Sequence, residues 1–205
     1  MELAALAPRA TEYVAALRER LPEKTLRHTL SVTELMRELV TNDGALAKLM
    51  TKSEQRDAVT AALLHDYCKA LKPAELIERA STYRYEPTPS QREKPSLLHG
   101  PVAAFECREL YAIGDDAFDA IFWHTTGKPE LGIVGRALYF CDFAEPLRSH
   151  PESDTARETL ARDGFEKALL YVARKKHEHV ITKSVADPMT EAFRAWLEAN
   201  PLAHA

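Results

Sequence analysis

The segment Val-Thr-Ala-Ala-Leu-Leu-His-Asp-Tyr-Cys-Lys, residues 59–69, joins an apolar helical face to two side chains of metal-ligand type. Val59, Ala62 and Leu63 recur at the spacing of a buried helix face, and Asp66 continues that face. A carboxylate buried without a partner is very costly, so Asp66 requires a cation, a metal ion or several hydrogen-bond donors. A His-Asp pair often arises by chance, but its position on an inner helix face makes it evidence for a polar centre.

Other residues of the same types lie on predicted core faces or at helix ends, and they are His28, His99, His124 and Asp142. His28 precedes the apolar stripe of its helix by one turn, and Asp142 stands where a leucine is expected. Each histidine taken singly is more typical of a structural role, and Asp142 is compatible with a salt bridge to Arg136 or Arg148. Because histidine and aspartate together suit first-row divalent metals, the combination predicts a metal centre.

The composition favours an all-α fold. The chain has 205 residues, 45% hydrophobic and 28% charged, with only 7 glycines. We predict about eight helices and no strand, in a single domain over residues 1–205 with residues 151–205 as C-terminal helices packed on the core. A helix is predicted for residues 53–68 and a long one for residues 163–183.

Two stretches are predicted to face solvent. Residues 83–96 hold three prolines and mixed charges, which indicates a long surface loop, either a lid or a solvated linker. The basic run of residues 174–176, with His177 and His179 after it, is typical of a solvated helix face.

Charge and cysteine content restrict the class of protein. The net charge of −4 argues against general nucleic-acid binding, which needs a basic surface. No apolar run is long enough to cross a bilayer and no secretory signal is visible, so we expect no membrane association. Three widely spaced cysteines predict free thiols in a reducing, cytoplasmic compartment.

The order of these residues resembles a known family. His28, then His65-Asp66, then Asp142 resembles the H…HD…D signature of the HD-domain phosphohydrolase superfamily. More narrowly, the chain is similar to the YqeK-type family of symmetrical diadenosine tetraphosphate hydrolases. That similarity rests on four segments, namely residues 63–69, residues 98–102, His-Thr-Thr-Gly at 124–127 and Cys-Asp-Phe-Ala-Glu-Pro-Leu-Arg at 141–148.

The resemblance implies an HD-type helical bundle around a dinuclear metal site. One metal would be held by His28, His65, Asp66 and Asp142, and a second by His99 and His124, with Asp66 bridging. It implies two divalent or trivalent ions, iron first, with manganese or cobalt as alternatives. Lys69 and Arg148 would face substrate phosphates, and Thr125, Thr126 and Gly127 would contact a phosphate or order His124. Asp66 and Lys69 are the residues implied in catalysis.

The activity implied is symmetrical hydrolysis of diadenosine tetraphosphate to two ADP by a metal-bound hydroxide. The partner is then a small nucleotide, and a homodimer is compatible with this interpretation. One alternative is an HD-type nucleotidase or phosphodiesterase that acts on another nucleotide. A second alternative is a non-catalytic metal module that binds a nucleotide.

Overall fold

A computed structural model describes residues 3–183 and 187–200. These residues form helices joined by short connections and contain no strand, so the predicted all-α fold is confirmed. The helices are α1 (Leu3–Leu6), α2 (Ala10–Arg20), α3 (Glu23–Val40), α4 (Lys52–Leu64), α5 (Pro73–Thr82), α6 (Pro89–Glu93), α7 (His99–Tyr111), α8 (Asp115–Trp123), α9 (Ile133–Ala144), α10 (Pro151–Asp163), α11 (Phe165–Lys183) and α12 (Pro188–Ala199). A 3-10 turn, Pro95–Leu98, precedes α7.

Four helices, α3, α4, α8 and α9, pack on one another at the centre of the fold. Their facing sides are apolar, as in Val32 and Met36 of α3 and Leu138 of α9, which are fully buried. Burial of these faces drives their association because each buried side chain of this size contributes about 1.5–3 kcal/mol. The polar residues that interrupt the same faces are therefore brought together in the interior.

The remaining helices surround this centre. α7 packs on α8, α5 packs on α7, and α1 and α2 pack on α4. α10 and α11 pack on each other and on α9, and α12 packs on α11. Within the predicted C-terminal unit, residues 184–186 and 201–205 lie outside the described residues.

The helix predicted for residues 53–68 begins and ends at other residues in the structure. α4 begins at Lys52, because Thr51 caps it and forms a capping box with Glu54. It ends at Leu64, and residues 65–70 continue as turns. His65 and Asp66 therefore stand at the C-terminal end of the helix, where a side chain can turn toward the carbonyls that the helix leaves unpaired.

The prediction of a long surface loop over residues 83–96 was wrong. This stretch contains α6 and the start of the 3-10 turn, and both begin with a proline at a first-turn position, where proline fits. Thr88 caps α6 through a capping box with Gln91, whose side chain is buried. The Ser90 hydroxyl donates to the Asp187 carboxylate over 2.5 Å, which ties the segment to the start of α12.

The long helix predicted for residues 163–183 is interrupted at its start. Gly164 has a φ of +86°, so α10 ends at Asp163 and α11 begins at Phe165. α10 was not predicted as a helix. Among residues 3–183 and 187–200, none of the helices is both long and apolar enough to span a bilayer.

Candidate metal centre

Each of four histidines has its Nδ1 atom within hydrogen-bond distance of a carbonyl or carboxylate oxygen. The Nδ1 atoms of His65, His99 and His124 lie 2.9, 2.6 and 2.7 Å from the carbonyl oxygens of Ala62, Ser96 and Ile121. The Nδ1 atom of His28 lies 3.0 Å from Glu145 Oε1. A carbonyl or carboxylate oxygen only accepts, so each Nδ1 must carry the proton and donate it. The neutral form of each ring then presents a bare lone pair at Nε2.

Helix ends explain why these rings are oriented in this way. His65 and His124 follow the last residues of α4 and α8, and each satisfies the carbonyl three residues earlier in its own helix. Gly100 lets α7 approach α8 closely, because a Cβ there would lie 3.0 Å from the Phe122 carbonyl oxygen and 3.3 Å from the His124 ring. This approach brings His99 and His124 together.

The four Nε2 atoms converge on the Asp66 carboxylate. Its Oδ1 lies 3.2 Å from His99 Nε2 and 3.7 Å from His124 Nε2. Its Oδ2 lies 3.7 Å from His65 Nε2 and 4.0 Å from His28 Nε2. The two oxygens therefore face two different pairs of imidazoles, which is the arrangement required of a bridging carboxylate.

Two groups in the structure have the spacing to hold a metal ion. One is His28, His65 and Asp142, and the other is Asp66, His99 and His124, with the candidate ligand atoms of each group within 4.8 Å of one another. These are the six residues predicted from the sequence. All except His28 and Asp142, which are partly exposed, are buried.

The donor chemistry of both groups fits a cation. The Nε2 atoms of His99 and His124 are 3.0 Å apart, and in the neutral rings each carries a lone pair, so the rings repel unless a cation, such as the Lys69 ammonium or a metal ion, lies beside them. His65 Nε2 is buried and has no hydrogen-bond partner within the described part of the chain. Buried acceptors of this kind are costly without a partner, and bare imidazole and carboxylate groups are the ligands that first-row divalent metals take.

The two aspartates are held in the ionised form. Burial alone would raise the pKa of Asp66, but His65, Lys69 and His99 hold that pKa well below its ordinary value. Burial would likewise raise the pKa of Asp142, but Lys176, a hydrogen bond from His28 and the charge of Arg148 lower it well below its ordinary value. Both carboxylates are therefore available as anionic ligands at neutral pH.

The histidines differ in how readily they take a proton. Burial lowers the pKa of His65, and burial together with His99 and His65 lowers the pKa of His124 well below its ordinary value. Burial would also lower the pKa of His28, but hydrogen bonds to Asp142 and Glu145 raise it overall. His65 and His124 are therefore neutral across the physiological range, as metal coordination would require.

The two residues predicted to face phosphates both reach the centre. Lys69 Nζ lies 3.1 Å from His99 Nε2 and 3.4 Å from Asp66 Oδ1, and its side chain is 46% exposed. Arg148 Nη2 lies 2.9 Å from Asp142 Oδ1, so the salt bridge considered as an alternative for Asp142 is present alongside the ligand group. Arg136, the other candidate, instead lies over the Trp196 ring.

The three residues of the Thr-Thr-Gly segment, which were predicted together, have different surroundings. Thr125 lines a cavity beside Asp142. The buried Thr126 hydroxyl donates to the Gly127 carbonyl over 3.1 Å. Gly127 has a φ of +70° and sits against Phe193, where a Cβ would lie 2.2 Å from the ring. Of the three, only Thr125 lines either of the cavities found in the described part of the chain.

Two residues at the centre were not predicted. Glu145 is buried, accepts from His28 Nδ1 and from the Leu147 backbone N–H at 2.6 Å, and so orients the His28 ring, a candidate metal ligand. Lys176 was assigned wrongly to a solvated face. Its ammonium donates to the His124 carbonyl over 3.2 Å and lies 3.4 Å from Asp142 Oδ2. The signal was present, because Lys176 follows the buried Val172 and Ala173 by four and three residues and so continues the inner face of α11.

Two cavities open beside the centre and share Arg148 and His150. The first has a volume of about 750 Å³ and includes Asp142, Phe143 and Lys176 in its lining. The second has a volume of about 930 Å³ and includes His28, Asp66 and Lys69. Both volumes lie in the range of sites that hold small molecules, about 300–1,000 Å³.

Comparison with known proteins agrees with this geometry. Residues 25–198 match the sequence model of a family described as "HD domain". Two similar curated proteins are both called "Bis(5'-nucleosyl)-tetraphosphatase, symmetrical". The one from Bacillus subtilis (strain 168) is 31% identical over 160 residues, which are 78% of this chain and 81% of the relative. The one from Staphylococcus aureus (strain NCTC 8325 / PS 47) is 27% identical over 171 residues, 82% of this chain and 83% of the relative.

A solved structure shares the fold. It is described as a predicted HD superfamily hydrolase involved in NAD metabolism from Clostridium acetobutylicum, and it superposes with a TM-score of 0.82 at 26% sequence identity. The superposition covers 93% of this chain and 97% of that one. The likeness therefore extends over both the central helices and the C-terminal ones.

Proposed function

Because the chain belongs to the HD domain family and, within it, to the symmetrical bis(5'-nucleosyl)-tetraphosphatases, we propose that it hydrolyses diadenosine tetraphosphate to two ADP at the centre around Asp66. The observation that carries the proposal is the convergence of four imidazole Nε2 atoms on the two oxygens of one buried carboxylate. Such a set has little structural value without a cation and is suited to holding two.

We propose that His28, His65 and Asp142 hold one metal ion, that His99 and His124 hold another, and that Asp66 contributes to both. Iron is the ion first expected, with manganese or cobalt as alternatives. Two divalent ions supply Lewis acidity toward phosphoryl oxygens and lower the pKa of a bound water. The residues of the chain then have to bind and orient the phosphates.

The charges of the side chains fit a tetraphosphate. Asp66, Asp142 and Glu145 carry three negative charges near the centre, and Lys69, Arg148 and Lys176 carry three positive ones. The formal charges of these six side chains therefore sum to zero. Two divalent ions would add about four positive charges, which matches the one negative charge that each of four linked phosphates carries.

Lys69 and Arg148 have separate roles in the proposal. Lys69 is half-exposed in the lining of the larger cavity and offers donors that can rotate to follow a phosphate as charge builds on it. The Arg148 guanidinium lines both cavities and can hold a phosphate through two parallel hydrogen bonds. Together they would place the central phosphate bridge over the carboxylates.

The test is a turnover assay of the purified protein, with metal content measured, against dinucleoside polyphosphates, deoxynucleotides and cyclic nucleotides. The proposal predicts that diadenosine tetraphosphate gives ADP alone, and that Asp66→Ala abolishes both metal loading and turnover. AMP plus ATP as products would show an asymmetric cut. Preference for a mononucleotide would favour the nucleotidase alternative, and metal binding without any turnover would favour the non-catalytic one.

We further propose a cytoplasmic location and a homodimer. The location is supported by Cys68, Cys107 and Cys141, which are buried and free of disulfides, as is usual in a reducing compartment. Cell fractionation and light scattering on the purified protein test the two proposals separately.

A further inference from the structure

The smaller cavity contains a largely buried cation, Lys176, to which the proposed function assigns no part of the substrate. Lys176 lines it, and its side chain is only 17% exposed. Its ammonium lies over the Tyr139 ring, with Nζ 3.8 Å from the ring centroid. An ammonium has three donors, and the His124 carbonyl and Asp142 Oδ2 engage two of them. The third donor has no hydrogen-bond acceptor within the described part of the chain, and Lys176 lines the cavity.

The charge of Asp142 alone does not explain why the Lys176 ammonium is buried beside it. The Asp142 carboxylate already faces Arg148 at 2.9 Å and His28 at 3.1 Å. A second full cation on the same carboxylate is costly to bury unless another anion joins it. The cavity beside it has room for such an anion.

The two cavities have matching polar groups. In the larger one Lys69 lies 3.4 Å from Asp66, and in the smaller one Lys176 lies 3.4 Å from Asp142. Arg148 borders both. The substrate proposed above has two equal halves joined by phosphates, and it is cut in the middle. A site with one lysine for each half, and an arginine between them, suits that symmetry.

The smaller cavity also offers a surface for a nucleoside. The Phe143 and His150 rings, 5.0 Å apart between centroids and tilted edge to face, both line it. Aromatic side chains stack on bases of any sequence. From these contacts, and resting on the proposed function, we propose that the smaller cavity binds one nucleoside diphosphate half of the substrate, with Lys176 donating to its phosphates.

The experiment compares the binding of ADP and of adenosine by calorimetry, on metal-loaded protein whose metal content is measured. Lys176→Gln should weaken ADP binding by about 10- to 100-fold, the size of a lost charge-assisted hydrogen bond. Adenosine binding, metal content and melting temperature should stay as in the wild type. Lys176→Arg should recover most of the ADP affinity. Lys167→Gln is the matched control, because it removes the same charge from an exposed position on α11.

Unchanged ADP affinity in Lys176→Gln would overturn the inference, and so would loss of metal, which would show that Lys176 only positions Asp142. If the variant does not fold, acetylation of wild-type lysines gives the answer. ADP should protect Lys176 and adenosine should not, and equal labelling with both would refute the inference. Failure of the wild type to cleave diadenosine tetraphosphate or to bind ADP would instead count against the proposed function itself.

Discussion

Replacing Glu145 with glutamine tests whether His28 is held in place as a metal ligand. One oxygen of the buried Glu145 carboxylate accepts from His28 Nδ1 at 3.0 Å, and the other accepts from the Leu147 backbone N–H at 2.6 Å. Glutamine has nearly the same shape but only one side-chain oxygen. Whichever way the amide is turned, its NH2 group faces either the His28 N–H or the Leu147 N–H, so one donor is left without an acceptor.

The expected loss follows from that geometry. Burial would raise the pKa of Glu145, but hydrogen bonds from Ser31, His28 and the Leu147 backbone N–H lower it, so these bonds are made to an ionised group. A hydrogen bond to a charged group contributes about 1.5–3 kcal/mol. Loss of a partner behind a ligating histidine typically weakens metal binding about 10- to 100-fold. We therefore expect metal affinity to fall by that factor, while the protein remains folded.

Metal affinity is measured by competition with a chromophoric chelator, on Glu145→Gln and on Glu158→Gln, which removes an exposed carboxylate from α10. The control should bind metal as the wild type does. Glu145→Gln with affinity within about twofold of the wild type would refute the reasoning, because the His28 ring would then not depend on its acceptor.

Three further predictions concern stability and turnover. Gly127→Ala should lower the free energy of unfolding by about 2–5 kcal/mol, because alanine at a φ of +70° is strained and its Cβ would lie 2.2 Å from the Phe193 ring. A urea denaturation midpoint equal to that of the wild type would contradict this prediction. Burial and the charge of Asp116 raise the pKa of Asp57, so the ionised form destabilises the fold at neutral pH and protonation relieves this as pH falls through the raised pKa. The free energy of unfolding of Asp57→Asn should therefore exceed that of the wild type at pH 7, by less than about 1 kcal/mol because the side chain is partly exposed. The difference should disappear in acid. A variant less stable than the wild type at pH 7 would contradict the prediction. Lys69→Ala should keep its metal but turn over more slowly, and loss of metal would make Lys69 a structural residue.

The six metal-ligand candidates could be predicted from the sequence because each interrupts an apolar face or ends a helix. A carboxylate such as Asp66 is noticed where only leucine is expected, since burial makes it costly. The bounds of α3, Glu23–Val40, also follow from local signals, namely Pro22 before it and an apolar stripe along it. These features depend on residues near one another in the chain.

The missed features depend on contacts distant in sequence or on subtle capping. Glu145 orients His28 from 117 residues away, so only the packing of α3 on α9 brings them together. Lys176 was missed because it belongs to a run of basic residues, although its position in the helix places it on the inner face. The helix α6 and the 3-10 turn after it were missed because prolines suggested a loop, whereas Pro89 and Pro95 each occupy a first-turn position, where proline fits.

The central claim is that the groups around Asp66 hold two cations. Anomalous diffraction from crystals of the metal-loaded protein, recorded on both sides of the absorption edge of the bound element, tests it directly. The account predicts two peaks, one beside His28, His65 and Asp142 and one beside His99 and His124, with Asp66 next to both. A single peak, or metal bound only at surface carboxylates, would contradict it.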